Sequence, residues 1–185
     1  MDLTTDVLIA GTGCSATKAS AWLAPLQKAC RLFDIDTPQR LAAFLAQIGH
    51  ESGRLIYSRE IWGPTAAQVR YEGRKDLGNV VQGDGKRFMG RGLIQTTGRD
   101  NYAATRDGLR KILPNVPDFE ANPQLLETPE WAALSAAWYW HSKGLNNLAD
   151  AGDFVGITRK INGGTNGLQD RNLLWGNAKK KLGIL

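Results

Sequence analysis

Two glutamates nine positions apart, Glu51 and Glu60, have the types and spacing to do chemistry in this 185-residue chain. Glu51 lies in the run Ala46-Gln47-Ile48-Gly49-His50-Glu51-Ser52. Glu60 lies in Tyr57-Ser58-Arg59-Glu60-Ile61-Trp62-Gly63-Pro64, ahead of a Gly-Pro break. Two carboxyl groups on adjoining segments are the minimum equipment for cleaving a glycosidic bond. One protonates the leaving oxygen, and the other activates water or attacks the sugar.

A helix must carry the first of them. Thr37 can cap free N–H groups and Pro38 suits the first helical position, so a helix is expected over about Pro38 to His50. Leu41, Phe44, Leu45 and Ile48 share one apolar face, and Glu51 continues that stripe three residues after Ile48. The carboxyl is thus expected on the core side. Desolvation disfavours the ionised form of a carboxyl, as a general acid near neutral pH requires. The plainer alternative is a helix that ends at Gly49 and turns Glu51 out to water. For Glu60 the alternative is an ion pair with Arg59 or Arg54, and both choices stay open from the residues alone.

The elements that must position these acids read as mainly α. Helices are expected over Ala16 to Phe33, with Pro25 either kinking the helix or starting its second half, and over Arg99 to Ile112. Others are expected from Thr128-Pro129 to Lys143, from Asp153 to Ile161 and from Asp170 to Leu182. Trp131, Leu134, Ala137 and Trp138 share one face and read as core. Gly63 to Arg91 reads as loop, with a short hairpin near Gly83-Asp84-Gly85.

Length and an apolar content of 42% fit one well-cored domain over residues 1–185, without a separate wall-binding domain. No low-complexity tract or internal repeat stands out. Val7-Leu8-Ile9-Ala10 is far too short to span a membrane, and no basic segment of the secretory type precedes it. The chain reads as made in the cytoplasm without its own export signal. Cys14 and Cys30, sixteen residues and about 24 Å apart if the segment is helical, read as reduced thiols, Cys30 in the core. Two histidines, His50 and His141, form no metal-ligand spacing, and neither cysteine has a histidine nearby in sequence. The net charge of +5 and pI near 9.4 favour anionic partners. Basic residues gather in Arg70-Tyr71-Glu72-Gly73-Arg74-Lys75 and in Lys179-Lys180-Lys181. No aromatic-interleaved basic stripe or binding motif supports nucleic acid, and an anionic cell envelope is the better match.

A second constellation is polar. Phe88-Met89-Gly90-Arg91-Gly92-Leu93-Ile94-Gln95-Thr96-Thr97-Gly98-Arg99-Asp100-Asn101-Tyr102 places Gln95, Thr97 and Asn101 in a row of uncharged amide and hydroxyl groups. Such groups suit the hydroxyl and N-acetyl groups of amino sugars or a held water. Asn162-Gly163-Gly164-Thr165-Asn166-Gly167 is another polar turn, followed by Asp170-Arg171; its plainer reading is a Gly-rich helix end.

Together these segments resemble glycoside hydrolase family 19, the chitinase-like group that includes many bacteriophage endolysins. The matching pieces are His50-Glu51-Ser52, Glu60, Gly85-Lys86-Arg87-Phe88, Gly90-Arg91-Gly92-Leu93-Ile94-Gln95, Asn101-Tyr102 and Ile161-Asn162-Gly163-Gly164. Tyr71-Glu72-Gly73-Arg74 and Ser135-Ala136-Ala137-Trp138-Tyr139-Trp140 add to them, and the likeness runs in order over about residues 20–183. The resemblance implies a lysozyme-like, two-lobed single domain with a central substrate cleft. It also implies inverting hydrolysis of β-1,4 bonds between N-acetylated sugars, with neither metal nor organic cofactor. By motif match, Glu51 is the general acid, Glu60 the general base, and Thr97 beside Gln95 holds the attacking water. Asn101, Tyr102 and Asn162 match substrate-binding positions, Arg171 a charged residue near the acid, and His50 a support for it. Inversion requires the two carboxyl groups to stand about 6.5–9.5 Å apart.

Only ten residues separate Glu60 from Tyr71, where many phage members carry a longer segment, which implies a more open rim. The short cysteine-free loop before Arg91 favours the phage branch over the plant one. The expectation is an N-acetylmuramidase acting as an endolysin, a monomer whose partners are peptidoglycan strands, in the periplasm or on the wall. Chitinase, lytic transglycosylase and a non-catalytic wall-binding module are the rivals.

Overall fold

Thr37 caps α3 (Pro38–Glu51) as its type predicts, its hydroxyl accepting the Arg40 N–H. A computed structural model of the chain describes residues 3–185. It also shows α1 (Thr5–Thr12) and α2 (Ala16–Leu32), the latter running through Pro25. Three short turns follow: α4 (Ala66–Val69), a 3₁₀ turn at Lys75–Leu77 and α5 (Asp84–Arg87). Next come α6 (Arg99–Arg110), a 3₁₀ turn at Pro123–Glu127, and α7 (Pro129–Ser142). α8 (Leu145–Asp150), α9 (Phe154–Asn162) and α10 (Leu168–Lys181) complete the chain. The fold is mainly α, as expected. Among the described residues no helix is long and apolar enough to cross a membrane.

Two compact units form. One comprises the described residues up to Tyr57 together with Tyr139–Leu185, the other Ser58–Trp138. In the first, α3 is surrounded by α10, α1 and α8, so every residue from Leu41 to Gly49 is buried rather than a single stripe. Small residues permit the close approach. A Cβ on Gly49 would fall 2.6 Å from Thr12 Cα and 2.8 Å from the Thr12 carbonyl, so α1 and α3 touch backbone to backbone. The sequence pattern declares no helix at α1, because eight residues carry too little periodicity. Both cysteines are free and buried, and burial pushes the Cys30 thiol up to about 12. Of the terminal lysines, Lys181 pairs with Asp6 at 2.9 Å.

In the second unit the expected hairpin at Gly83–Gly85 does not form. The Glu72 carboxylate accepts the Gly83 and Gly85 N–H groups at 2.6 and 2.8 Å, and the chain coils into α5. A side chain has taken the backbone donors that a hairpin ladder would use. Asp84, buried, accepts two hydrogen bonds from Arg99 and so ties α5 to the start of α6. Leu134 and Ala137 of α7 are buried as expected, while Trp131 and Trp138 are half-buried. Trp131 meets Phe119 edge-on at 5.5 Å.

Gly49→Ala should overpack the α1–α3 contact and cost about 1–3 kcal/mol. Calorimetry should then show a Tm several degrees lower, at about 2–4 °C per kcal/mol for a chain of this size. An unchanged Tm would mean the two helices part without strain.

Candidate active site

In the first unit, successive residues at the end of α3 meet successive residues in the first turn of α10. Arg171 Nη2 donates to Glu51 Oε1 at 2.5 Å, Nη1 to Gln47 Oε1 at 2.5 Å, and Nε to the Asn166 carbonyl at 3.2 Å. Arg171 is only 1% exposed, so its charge depends on these partners; an unpaired buried guanidinium would be very costly. The network runs on through the core. Gln47 Nε2 donates to Thr158 Oγ1 at 2.8 Å, and that hydroxyl donates to the Phe154 carbonyl at 3.0 Å. The Glu51 side chain keeps 21% of its surface exposed. The apolar stripe sets this carboxylate on the core side, where it meets a guanidinium, because Gln47 and Glu51, one helical turn apart, both face Arg171.

His50 turns to the neighbouring residue, its Nδ1 lying 2.6 Å from Asp170 Oδ2. Arg54 grips the same carboxylate with two hydrogen bonds of 2.5 and 3.1 Å. Arg54 foremost, with His50 adding to it against an opposing desolvation, holds the Asp170 carboxyl at about 2. Gly167, in the left-handed region at φ 71°, lies against the His50 ring; a Cβ there would fall 2.3 Å from Cε1. Just beyond Glu51, residues Gly53, Arg54 and Leu55 all adopt positive φ, at 57°, 68° and 61°. For the two non-glycine residues this costs about 1–2 kcal/mol each. Ser52 helps to hold the turn, its buried hydroxyl donating to the Ile48 carbonyl at 2.6 Å and accepting the Leu55 N–H at 2.9 Å.

In the second unit Glu60 is not paired with an arginine. Arg54 belongs to Asp170, and Arg59 lies 3.6 Å from Glu127. Glu60 Oε1 accepts the Gly90 N–H at 2.5 Å, and Oε2 accepts Gln68 Nε2 at 3.0 Å and the Tyr71 hydroxyl at 3.5 Å. The Glu60 N–H also donates to the Gly90 carbonyl at 2.9 Å. Burial, and after it the Glu60 charge, raises the Tyr71 phenol above its ordinary value. Gln95 reaches the same glycine, since a Cβ on Gly90 would fall 2.5 Å from Gln95 Oε1. Glu60 and Gln95 therefore converge on Gly90. Thr97 and Asn101 are joined too, the Asn101 amide donating to the Thr97 carbonyl at 2.7 Å.

One residue matched to substrate contact, Tyr102, does other work. Tyr102 is fully buried; its hydroxyl donates to the Met89 carbonyl at 2.5 Å and accepts Arg91 Nη1 at 2.8 Å. Burial raises its phenol strongly. Tyr102 thus braces the Gly90–Gln95 loop from beneath. Arg171 is equally enclosed and holds Glu51. Asn162, by contrast, is exposed at the end of α9. Gln47, Thr158, Asp170 and Gln68 were not among the expected site residues. Gln47 was findable at one turn before Glu51, and Gln68 from Thr65, with which it forms a capping box.

No protein-family model matches the chain. It is 36% identical over 162 residues to a glycosyl hydrolase family 19 domain-containing protein of Haemophilus influenzae, covering 72% of this chain and 76% of that protein. The chain belongs to glycoside hydrolase family 19. An endochitinase of Arabidopsis thaliana is 33% identical over 157 residues, 83% of this chain and 50% of its own length. This family 19 chain thus spans about half the length of that plant enzyme. Among solved structures, a bacterial family 19 chitinase matches with a TM-score of 0.78 at 23% identity, over 98% of this chain and 95% of that one. Chitinase C from Streptomyces griseus matches at 0.71 and 23%, over 97% and 76%. These likenesses agree on the fold.

Asp170 yields a pH prediction. Its folded pKa lies below the ordinary carboxylate value of about 3.9, so its contribution to stability is present above that value and lost as pH falls toward 2. Arg54→Met should lower Tm at pH 6, and the pH-dependent part of that loss should vanish near pH 2. A deficit of constant size across that range would show that Arg54 acts by packing alone.

Proposed function

We propose that this family 19 chain hydrolyses β-1,4 bonds between N-acetylmuramic acid and N-acetylglucosamine with inversion, Glu51 serving as general acid and Glu60 as general base. The observation that carries this reading is the Glu51 carboxylate fixed by a buried guanidinium at the end of α3. One oxygen is held and the side chain keeps solvent access, so the group is oriented yet able to reach a leaving oxygen. Both Glu60 oxygens accept hydrogen bonds, which fixes the carboxylate that would take a proton from water. Thr97 and Gln95 are the groups we assign to that water, and Asn101 and Asn162 to the substrate.

The net charge of +5 supports an acidic wall polymer as substrate, since peptidoglycan carries carboxylates and chitin does not. We infer a role in wall lysis of the endolysin type. Chitin hydrolysis is the second reading, favoured by relatives named endochitinases and chitinases.

The deciding experiment is mass spectrometry of borohydride-reduced products after digestion of purified peptidoglycan and, separately, chitin. Reduced N-acetylmuramic acid ends are expected. Anhydro ends would place the chain among transglycosylases, reduced N-acetylglucosamine ends would make it a glucosaminidase, and cleavage of chitin alone would favour the second reading. Glu51→Gln should lower the rate by about 10²–10⁴ while leaving Tm near wild type. Near-full activity in Glu60→Gln would sink the two-carboxylate assignment.

A further inference from the structure

At the far end of α3 from Glu51 the first unit holds a cavity with polar lining. Gln39 lies in the first turn of α3 and Glu51 at its last residue, twelve positions and about 18 Å along the axis. The cavity measures about 300 Å³, and Gln39, Asp150, Gly152, Trp175, Lys179 and Ile184 contribute to its lining. That volume is at the lower bound for small-ligand sites, the size of one or two sugar rings.

Its polar groups are unevenly satisfied. The Asp150 carboxylate is taken by Arg40, in hydrogen bonds of 2.8 and 2.6 Å. The Gln39 amide, the Trp175 indole N–H and the Lys179 ammonium form no hydrogen bond or ion pair with another described residue. The indole is held rigidly: Phe154 stacks on it with ring centroids 4.4 Å apart and planes within 6°. Lys179, one turn further along α10, lies 4.6 Å from the centre of the same ring. The cavity is therefore bordered by one cation, one stacked indole, one exposed amide able to donate and accept, and an apolar contact at Ile184.

We propose that this cavity is a second, non-cleaving glycan site that takes an N-acetylated sugar bearing a carboxylate. The ammonium pairs with the carboxylate, the Gln39 amide with the N-acetyl group, and the indole N–H with a ring hydroxyl. A neutral N-acetylglucosamine unit would satisfy the two uncharged groups and leave the cation unmatched. The choice of sugar rests on the peptidoglycan reading above; the groups that define the site do not. Such a site would hold a stem-free stretch of wall strand, where the muramic acid carboxyl is not bound as an amide to peptide, apart from the cleavage residues, and lower KM on insoluble wall without changing kcat.

The test is a titration of the ¹⁵N-labelled full chain with N-acetylmuramic acid, following the Trp175 indole signal, assigned through Trp175→Phe. The signal should shift saturably; Lys179→Gln should weaken binding about tenfold, as expected for a lost charged hydrogen bond, and Gln39→Ala by a smaller factor, as for a neutral one. Binding should weaken with added salt. An unmoved indole signal, equal affinity in Lys179→Gln, or equal affinity for N-acetylglucosamine would each overturn the proposal. Cleavage assays keep the two ideas separate. A wild-type protein that leaves peptidoglycan intact yet shows the Lys179-dependent shift loses the substrate reading and keeps the site, and a cleaving protein with an unmoved Trp175 does the reverse.

Discussion

A single buried cation organises the first unit. The Arg171 guanidinium lies out of water, and its three hydrogen bonds run to Gln47 and Glu51 of α3 and to the backbone just before α10. Through Gln47 the same network reaches Thr158 and so fixes α9. A charge that is costly to bury thus specifies the mutual register of three helices, because any other register would leave it unmatched. The exposed residues at the ends of these helices inherit that order. Glu51 in particular has little freedom left, although its outer surface is open to solvent.

The second unit fixes its own carboxylate by different means. Glu60 is held mainly by neutral donors: a backbone N–H, an amide and a phenol. The backbone N–H belongs to Gly90, whose missing side chain also admits Gln95. Beneath this loop Arg91 and Tyr102 form a buried base, with Arg91 further tied to Glu127 at 2.7 Å. Supports of this sort leave the Glu60 carboxylate little freedom to reorient. They also explain why aromatic and basic residues in this segment are structural, while the uncharged Gln95 and Asn101 remain exposed.

Strain concentrates where α3 gives way to loop. Arg54 and Leu55 occupy left-handed backbone immediately after the acid-bearing turn, held by the Ser52 hydroxyl and by the pairing of Arg54 with Asp170. Asp170 in turn orients His50. Adjacent residues of α10, Asp170 and Arg171, therefore secure adjacent residues of α3, one through a carboxylate and the other through a guanidinium.

The sequence by itself determined the helices with strong caps and clear periodicity, the ordered family motifs, and the candidacy of Glu51, Glu60, Gln95, Thr97 and Asn101. These depend on local spacing and residue type, which a linear chain displays. Short elements escaped it. The coil at Gly83–Gly85 hinges on a carboxylate eleven residues away, and α1 is held by packing against α10, α3 and α2 rather than declared by its own pattern. Only the tertiary structure decided that Arg171 is buried and tied to Gln47 as well as to Glu51, that Tyr102 serves as a buried support, and that Gln39, Trp175 and Lys179 border one cavity. Each of those outcomes rests on contacts between residues distant in the chain, where the burial of one group sets the environment of another.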